Sequence, residues 1–120
     1  MYTTEEEVYG ARWLSKSIES IEHFHIWANY DTSSSKAHAL TSYGMIPLEK
    51  VALLDSTTQG VESGAYVYLS YLNVVEGIGV TVLKTPLKER EPFNMAVLRQ
   101  ILMGVNKIYT NNGIEILLKP

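Results

Sequence analysis

Apolar residues recur at steps of three and four through Val8, Ala11, Leu14, Ile18 and Ile21, which predicts an amphipathic helix over about residues 4–21. Thr4 and Glu7 stand at capping-box spacing. Glu5, Glu6 and Glu7 place three acids where a helix dipole favours them. The pattern then changes to strict alternation. Phe24, Ile26, Ala28 and Tyr30 would face one side of a strand, with His23, His25, Trp27 and Asn29 on the other. Asp31 to Ser35 reads as a turn or an N-cap, followed by a short helix from roughly Ser34 to Tyr43 that Gly44 and Pro47 stop.

Lys50 to Asp55 reads as a short strand and Ser56 to Gly64 as a polar, glycine-bounded loop. Ala65 to Leu72 is rich in β-formers, and a turn around Val75-Glu76-Gly77 leads into Ile78 to Lys84, so the two runs predict an antiparallel hairpin. Thr85 to Pro92 reads as a charged loop. Val97, Leu98, Ile101, Leu102, Val105 and Ile108 then predict a second long helix over 93–109, closed by Asn111-Asn112-Gly113, before a last strand over 114–118. The expected fold is one α+β domain, residues 1–120. Two amphipathic helices and a third, short one pack on one face of a mostly antiparallel sheet of about five strands. Its expected core is Leu14, Ile18, Phe24, Ile26, Val67, Leu69, Val80, Val82, Leu98, Ile101, Val105 and Ile116.

Composition narrows the chemistry. The chain has 120 residues, 46% apolar and 19% charged, and no cysteine. Disulfides, thiolate metal sites and cysteine nucleophiles are excluded. A net charge of −3 gives no electrostatic reason to expect nucleic acid or an anionic membrane. No apolar run approaches a membrane span, and the acidic start lacks the basic-then-apolar order of a signal peptide. With no N-x-Ser/Thr acceptor either, the expected setting is cytoplasmic, or a virion particle assembled there. Charge is uneven. Residues 1–60 carry 4 basic and 8 acidic side chains, a net −4; residues 61–120 carry 6 and 5, a net +1.

Several groups were weighed as chemistry. His23 and His25, two apart on a strand, could share a metal with His38, Glu22 or Asp31. Two histidines on a surface strand are the simpler reading, and no metal is expected. Ser33, Ser34 or Ser35 with His38 and Asp31 or Asp55 would supply a nucleophile, a base and an orienter, but serines in turns ordinarily bond the backbone. Gly60 to Gly64 places its serine one residue late for a nucleophile elbow, and Gly77-Ile78-Gly79 runs into β-branched residues where a dinucleotide loop would enter a helix. No catalytic residue and no cofactor is expected. Tyr66 and Tyr68 could anchor a protein contact, rimmed by Lys88, Glu89, Arg90 and Glu91; the alternative is a two-sided core strand under a helix.

Trp27-Ala28-Asn29-Tyr30, Ser35 to Tyr43 and Gly44-Met45 resemble the strand–helix–"GF" segment of GNAT-type N-acyltransferases, and residues 65–118 are similar in order to the middle of that fold. The resemblance implies an acyl-CoA site whose pyrophosphate rests on a glycine-rich turn entering a helix. Here that turn is Pro86 to Pro92, with no glycine and two glutamates. The leading expectation is a non-catalytic structural, assembly or protein-interaction subunit, a homo-oligomer or part of a larger complex. Small cysteine-free subunits of virion tail or neck assemblies fit that description. The alternatives are a GNAT-like acyltransferase or degenerate relative, and a small regulatory or inhibitor binding domain.

Overall fold

The structure, a computed structural model, describes residues 4–21, 23–29, 38–82 and 90–120. Among the described residues it is a mixed α+β fold in which four helices accompany a five-stranded sheet and a two-stranded ribbon, and three of the five strand pairings are antiparallel. Helix α1, Glu5–Ile18, starts on the expected capping box. The Thr4 hydroxyl accepts from the Glu7 N–H at 3.2 Å, and the Glu7 carboxylate accepts from the Thr4 N–H at 3.3 Å. Strand β1, Ile26–Ala28, lies inside the sheet, next to one of its edges. It pairs in parallel with β2, Val51–Leu53, on one side and with β3, Tyr66–Leu69, on the other. β3 continues antiparallel to β7, Glu115–Leu118, and β7 antiparallel to β6, Asn106–Thr110, for an order β2-β1-β3-β7-β6.

The helices divide between the two faces, where the sequence pattern put them on one. Ala11, Leu14 and Ile18 of α1, with Ala39 and Leu40 of α2 (His38–Ser42), pack on Ile26, Ala28, Tyr66, Tyr68 and Ile116. On the opposite face Leu98 of α4 (Ala96–Ile101), with Met95 and Leu102, covers Val67, Leu69 and Leu117. All four residues of β3 are buried, as a strand covered on both sides requires. Of the expected core, nine residues are buried. Phe24 and Ile101 are half-buried, and the Val82 side chain lies outside the described ones.

Two expected elements are replaced. The two runs expected as a hairpin over 65–84 do not pair where they are described: β3 and the strand over 78–82 lie in different sheets. After β3 the chain enters a short helix α3, Tyr71–Val74, and β4, Ile78–Val82, pairs with β5, Arg90–Asn94, as a separate two-stranded ribbon. The reason is local: the Asn73 carboxamide oxygen accepts from the Ser70 N–H at 3.0 Å and from its hydroxyl at 3.1 Å, which starts a helix where the hairpin needed a turn. Nor does one helix span 93–109. It stops after Ile101, the chain reverses at Gly104 with φ 83°, and residues 106–110 become β6. Asn111-Asn112-Gly113 then joins β6 to β7, with Asn112 at φ 73°. Read as a helix cap, it serves as the hairpin turn that an Asn-Gly pair favours. No helix among the described residues is long and apolar enough to cross a membrane.

Candidate functional site

The solvent-facing polar side chains that converge do so at the amino ends of β1 and β3. Alternation along β1 sends His25 and Trp27 to the same side, and both reach Glu62. His25 Nδ1 lies 3.1 Å from Glu62 Oε1, and the Trp27 indole N–H donates to Oε2 at 2.9 Å. Glu62 is delivered by a tight turn, in which the Ala65 N–H donates to the Glu62 carbonyl at 3.2 Å and Gly64 takes φ 85°. That left-handed value at the third residue of a four-residue turn is one that glycine adopts without strain. The turn is held to the end of the chain, since the Gly64 N–H donates to the Lys119 carbonyl at 2.8 Å and the Lys119 N–H to the Ala65 carbonyl at 3.0 Å.

From the other side Lys50, at the end of a 3₁₀ turn over Leu48–Lys50, places its ammonium 5.5 Å above the Phe24 ring. Between them lies an open cavity of about 290 Å³, lined by His23, Phe24, His25, Lys50, Glu62, Ser63, Gly64 and Ala65. Partial burial pushes the Glu62 carboxyl up, but hydrogen bonds from its own backbone, Trp27 and His25, with the charge of His25, outweigh it. The carboxyl is held below its ordinary value.

At the opposite, carboxyl ends of the parallel strands, where open α/β sheets usually bind ligands, the chain fills the space itself. The Asn29 side chain donates to the carbonyls of Leu54 and Val80, both at 2.7 Å, and accepts from the Val80 N–H at 2.8 Å. Its amide thereby acts as one more peptide unit docked on β4. Asn73 joins it, donating to Asn29 Oδ1 at 3.4 Å and to the Ile78 carbonyl at 2.9 Å. Asn29, Ser70 and Asn73 are each about 1% exposed, and the network fixes the β4–β5 ribbon to the main sheet.

The residues singled out from sequence fare unevenly. Tyr66 and Tyr68 are buried in the chain's own core, and the Tyr68 hydroxyl donates to the Glu7 carbonyl at 3.1 Å. They belong to the two-sided core strand, which leaves little of either side chain at the surface. Arg90 and Glu91 are exposed on β5; Lys88 and Glu89 lie outside the described residues. So do Glu22, Asp31 and Ser33 to Ser35, and the side chain of His38, which places most of the serine and metal constellations beyond description. Asp55 is described, and it accepts from the N–H and hydroxyl of Thr57 as part of a local turn. Among the described residues no three His, Asp or Glu side chains gather as a metal site. Arg90 to Pro92 belong to a strand, where the acyltransferase resemblance calls for a turn entering a helix.

Sequence reasoning missed Lys50, Glu62 and Ser63, which lie in segments read as a short strand and a polar loop. It missed Met45 as well. The end of α2 lies so close to α1 that a Cβ at Gly44 would stand 2.8 Å from the Leu40 carbonyl oxygen and 3.0 Å from that of Ala11. Glycine is spent on that approach, and the left-handed residue that ends the helix is Met45, at φ 56° with 81% of its surface exposed. The chain matches no family model, no curated protein and no solved structure.

Proposed function

We propose that the chain is a non-catalytic interaction subunit that assembles with further copies of itself. The observation that carries this reading is Met45. A left-handed backbone costs an ordinary residue about 1–2 kcal/mol, and here the cost supports a side chain that the fold does not bury. Strain of this kind, held at an exposed apolar residue, is best accounted for by a contact outside the chain. Tyr43, 42% exposed, lies beside it.

The complementary surface is argued from the same chain. Met103, 76% exposed, follows α4, the helix covering the face opposite the one that α1 and α2 cover, and exposed Val97 lies on α4 itself. Met45 lies in the sequence half with net charge −4, residues 1–60, and Met103 in the half with +1, residues 61–120. A contact between unlike surfaces is head-to-tail. It cannot close as a two-fold dimer, and it builds rings or open stacks, as an assembly subunit requires.

Light scattering of the purified chain at tens of micromolar tests this. The wild type is expected to exceed a dimer, and Met45→Glu to be monomeric with unchanged circular dichroism. Met45→Gly is expected to be more stable by about 0.5–1 kcal/mol, because the left-handed strain is relieved, yet to associate less. A wild type that stays monomeric, or a Met45→Glu variant that assembles normally, contradicts the proposal.

A further inference from the structure

The cavity at the amino ends of β1 and β3 contains an unspent cation. Among the charged side chains of the described residues, Arg99 and Lys107 both pair with Glu115, at 2.8 and 3.4 Å. Lys50, half-buried in the cavity wall, has only the face of Phe24 for a partner there, at 5.5 Å. The carboxylate nearest in the wall is committed elsewhere, each Glu62 oxygen being taken by a donor, His25 at 3.1 Å and Trp27 at 2.9 Å. The exposed Ser63, whose hydroxyl can donate, lines the same space.

We infer that this cavity binds a small organic monocarboxylate with an aromatic or compact apolar body. An ammonium holding only a ring face gains by turning to a carboxylate, since a charge-assisted hydrogen bond is stronger than a solvated cation–π contact. The Ser63 hydroxyl is placed on the same turn as Glu62 to give a second donor. Phe24, half-buried, supplies an apolar part of the cavity's lining for the ligand's body. Charge selects the class. Glu62 keeps its negative charge in the wall and opposes a phosphate dianion more than a monoanion. Size agrees as well, since about 290 Å³ holds on the order of ten waters at ~30 Å³ each, enough for a ligand the size of benzoate. None of the cavity's lining residues is among the exposed methionines, and its test reads ligand binding rather than assembly.

Titration of the isotopically labelled chain with benzoate, acetate, benzamide and inorganic phosphate, followed by amide shifts, is the test. Benzoate is expected to saturate with shifts centred on Phe24, Lys50, Ser63 and Gly64. Benzamide, isosteric but uncharged, and phosphate are each expected to bind at least about tenfold more weakly. Lys50→Met, which keeps the apolar stem, should weaken benzoate about tenfold or more, and Lys50→Arg should recover most of that loss. Ser63→Ala, at an exposed turn position that leaves the fold alone, should weaken it several-fold. Shifts that fail to saturate by about 20 mM, equal binding by wild type and Lys50→Met, or phosphate binding tighter than benzoate each overturn the inference.

Discussion

Asn29 ties four separate segments together through one buried side chain. Its carboxamide joins the end of β1 to Leu54 beyond β2, to Val80 in β4 and to Asn73 in α3, all inside the molecule. Removing it strands the Val80 N–H and two carbonyls away from water. Each buried group left unpaired costs about 1–3 kcal/mol, so Asn29→Ala is expected to lose roughly 2–5 kcal/mol in urea unfolding. Asn29→Asp should do worse, because it removes both donors and brings a charge among carbonyl oxygens. A loss below ~1 kcal/mol would show that the ribbon is held by its apolar contacts instead. None of this was legible in the sequence. Alternation put Asn29 opposite Ile26 and Ala28, and a polar residue at a strand's end looks the same whether it meets solvent or a distant strand. Tyr66 and Tyr68 show the opposite case. Alternation assigned their face correctly, and only the helix above it decided that the face was interior.

Elements were legible where pattern and local chemistry agreed. The capping box and the apolar stripe of α1 point to the same helix, and the structure contains it. They failed where a period continued through a break. Val97 to Ile108 keeps helical spacing, but Gly104 and the β-forming Ile108-Tyr109-Thr110 disagree with it. Pairing with β7 and the stacking of Tyr109 on Trp13, with ring centroids 4.7 Å apart, settle the conflict in favour of a strand. A single substitution separates the two readings. At Gly104, φ 83°, alanine is expected to cost about 1 kcal/mol. In an uninterrupted helix the same change would stabilise by a similar amount. Thermal unfolding of Gly104→Ala gives the sign.

The pairing of these elements also sets an acid sensitivity. Glu115 on β7 is buried, which pushes its carboxyl up, but the hydrogen bond and charge of Arg99 from α4, with Lys107 from β6, outweigh that and hold it below its ordinary value. A carboxyl depressed in the folded state stabilises at pH above its unfolded value of about 4.3, and that contribution is lost as pH falls through the folded value. Glu115→Gln is therefore expected to be less stable than wild type at neutral pH, the difference shrinking below about pH 4. A difference that persists unchanged in acid would assign the loss to packing rather than to charge.

At the scale of the whole molecule, the fold turns its polar interior to its own use and leaves two methionines outside. The carboxyl ends of β1 and β3, the usual place for a ligand in such a sheet, are closed by the β4–β5 ribbon. Met45 and Met103 stand 81% and 76% exposed on opposite sides. In the sequence alone, the expectation of an interaction subunit rests mainly on the absence of catalytic patterns and points to the tyrosine strand and the charged loop after it as the contact. The surfaces now proposed lie elsewhere, because the buried strand and the strained methionine could be told apart only once the neighbours of Gly44 and Tyr68 were known. The central claim is that two unlike surfaces of one chain meet. Mixing two blocked variants and weighing the product by light scattering tests it most directly. Met45→Glu keeps the Met103 surface and Met103→Glu keeps the Met45 surface, so each alone is expected to remain monomeric and the equimolar mixture to form a one-to-one dimer that grows no further. A mixture that stays monomeric while the wild type assembles, or a wild type that stops at a symmetric dimer, would contradict the account.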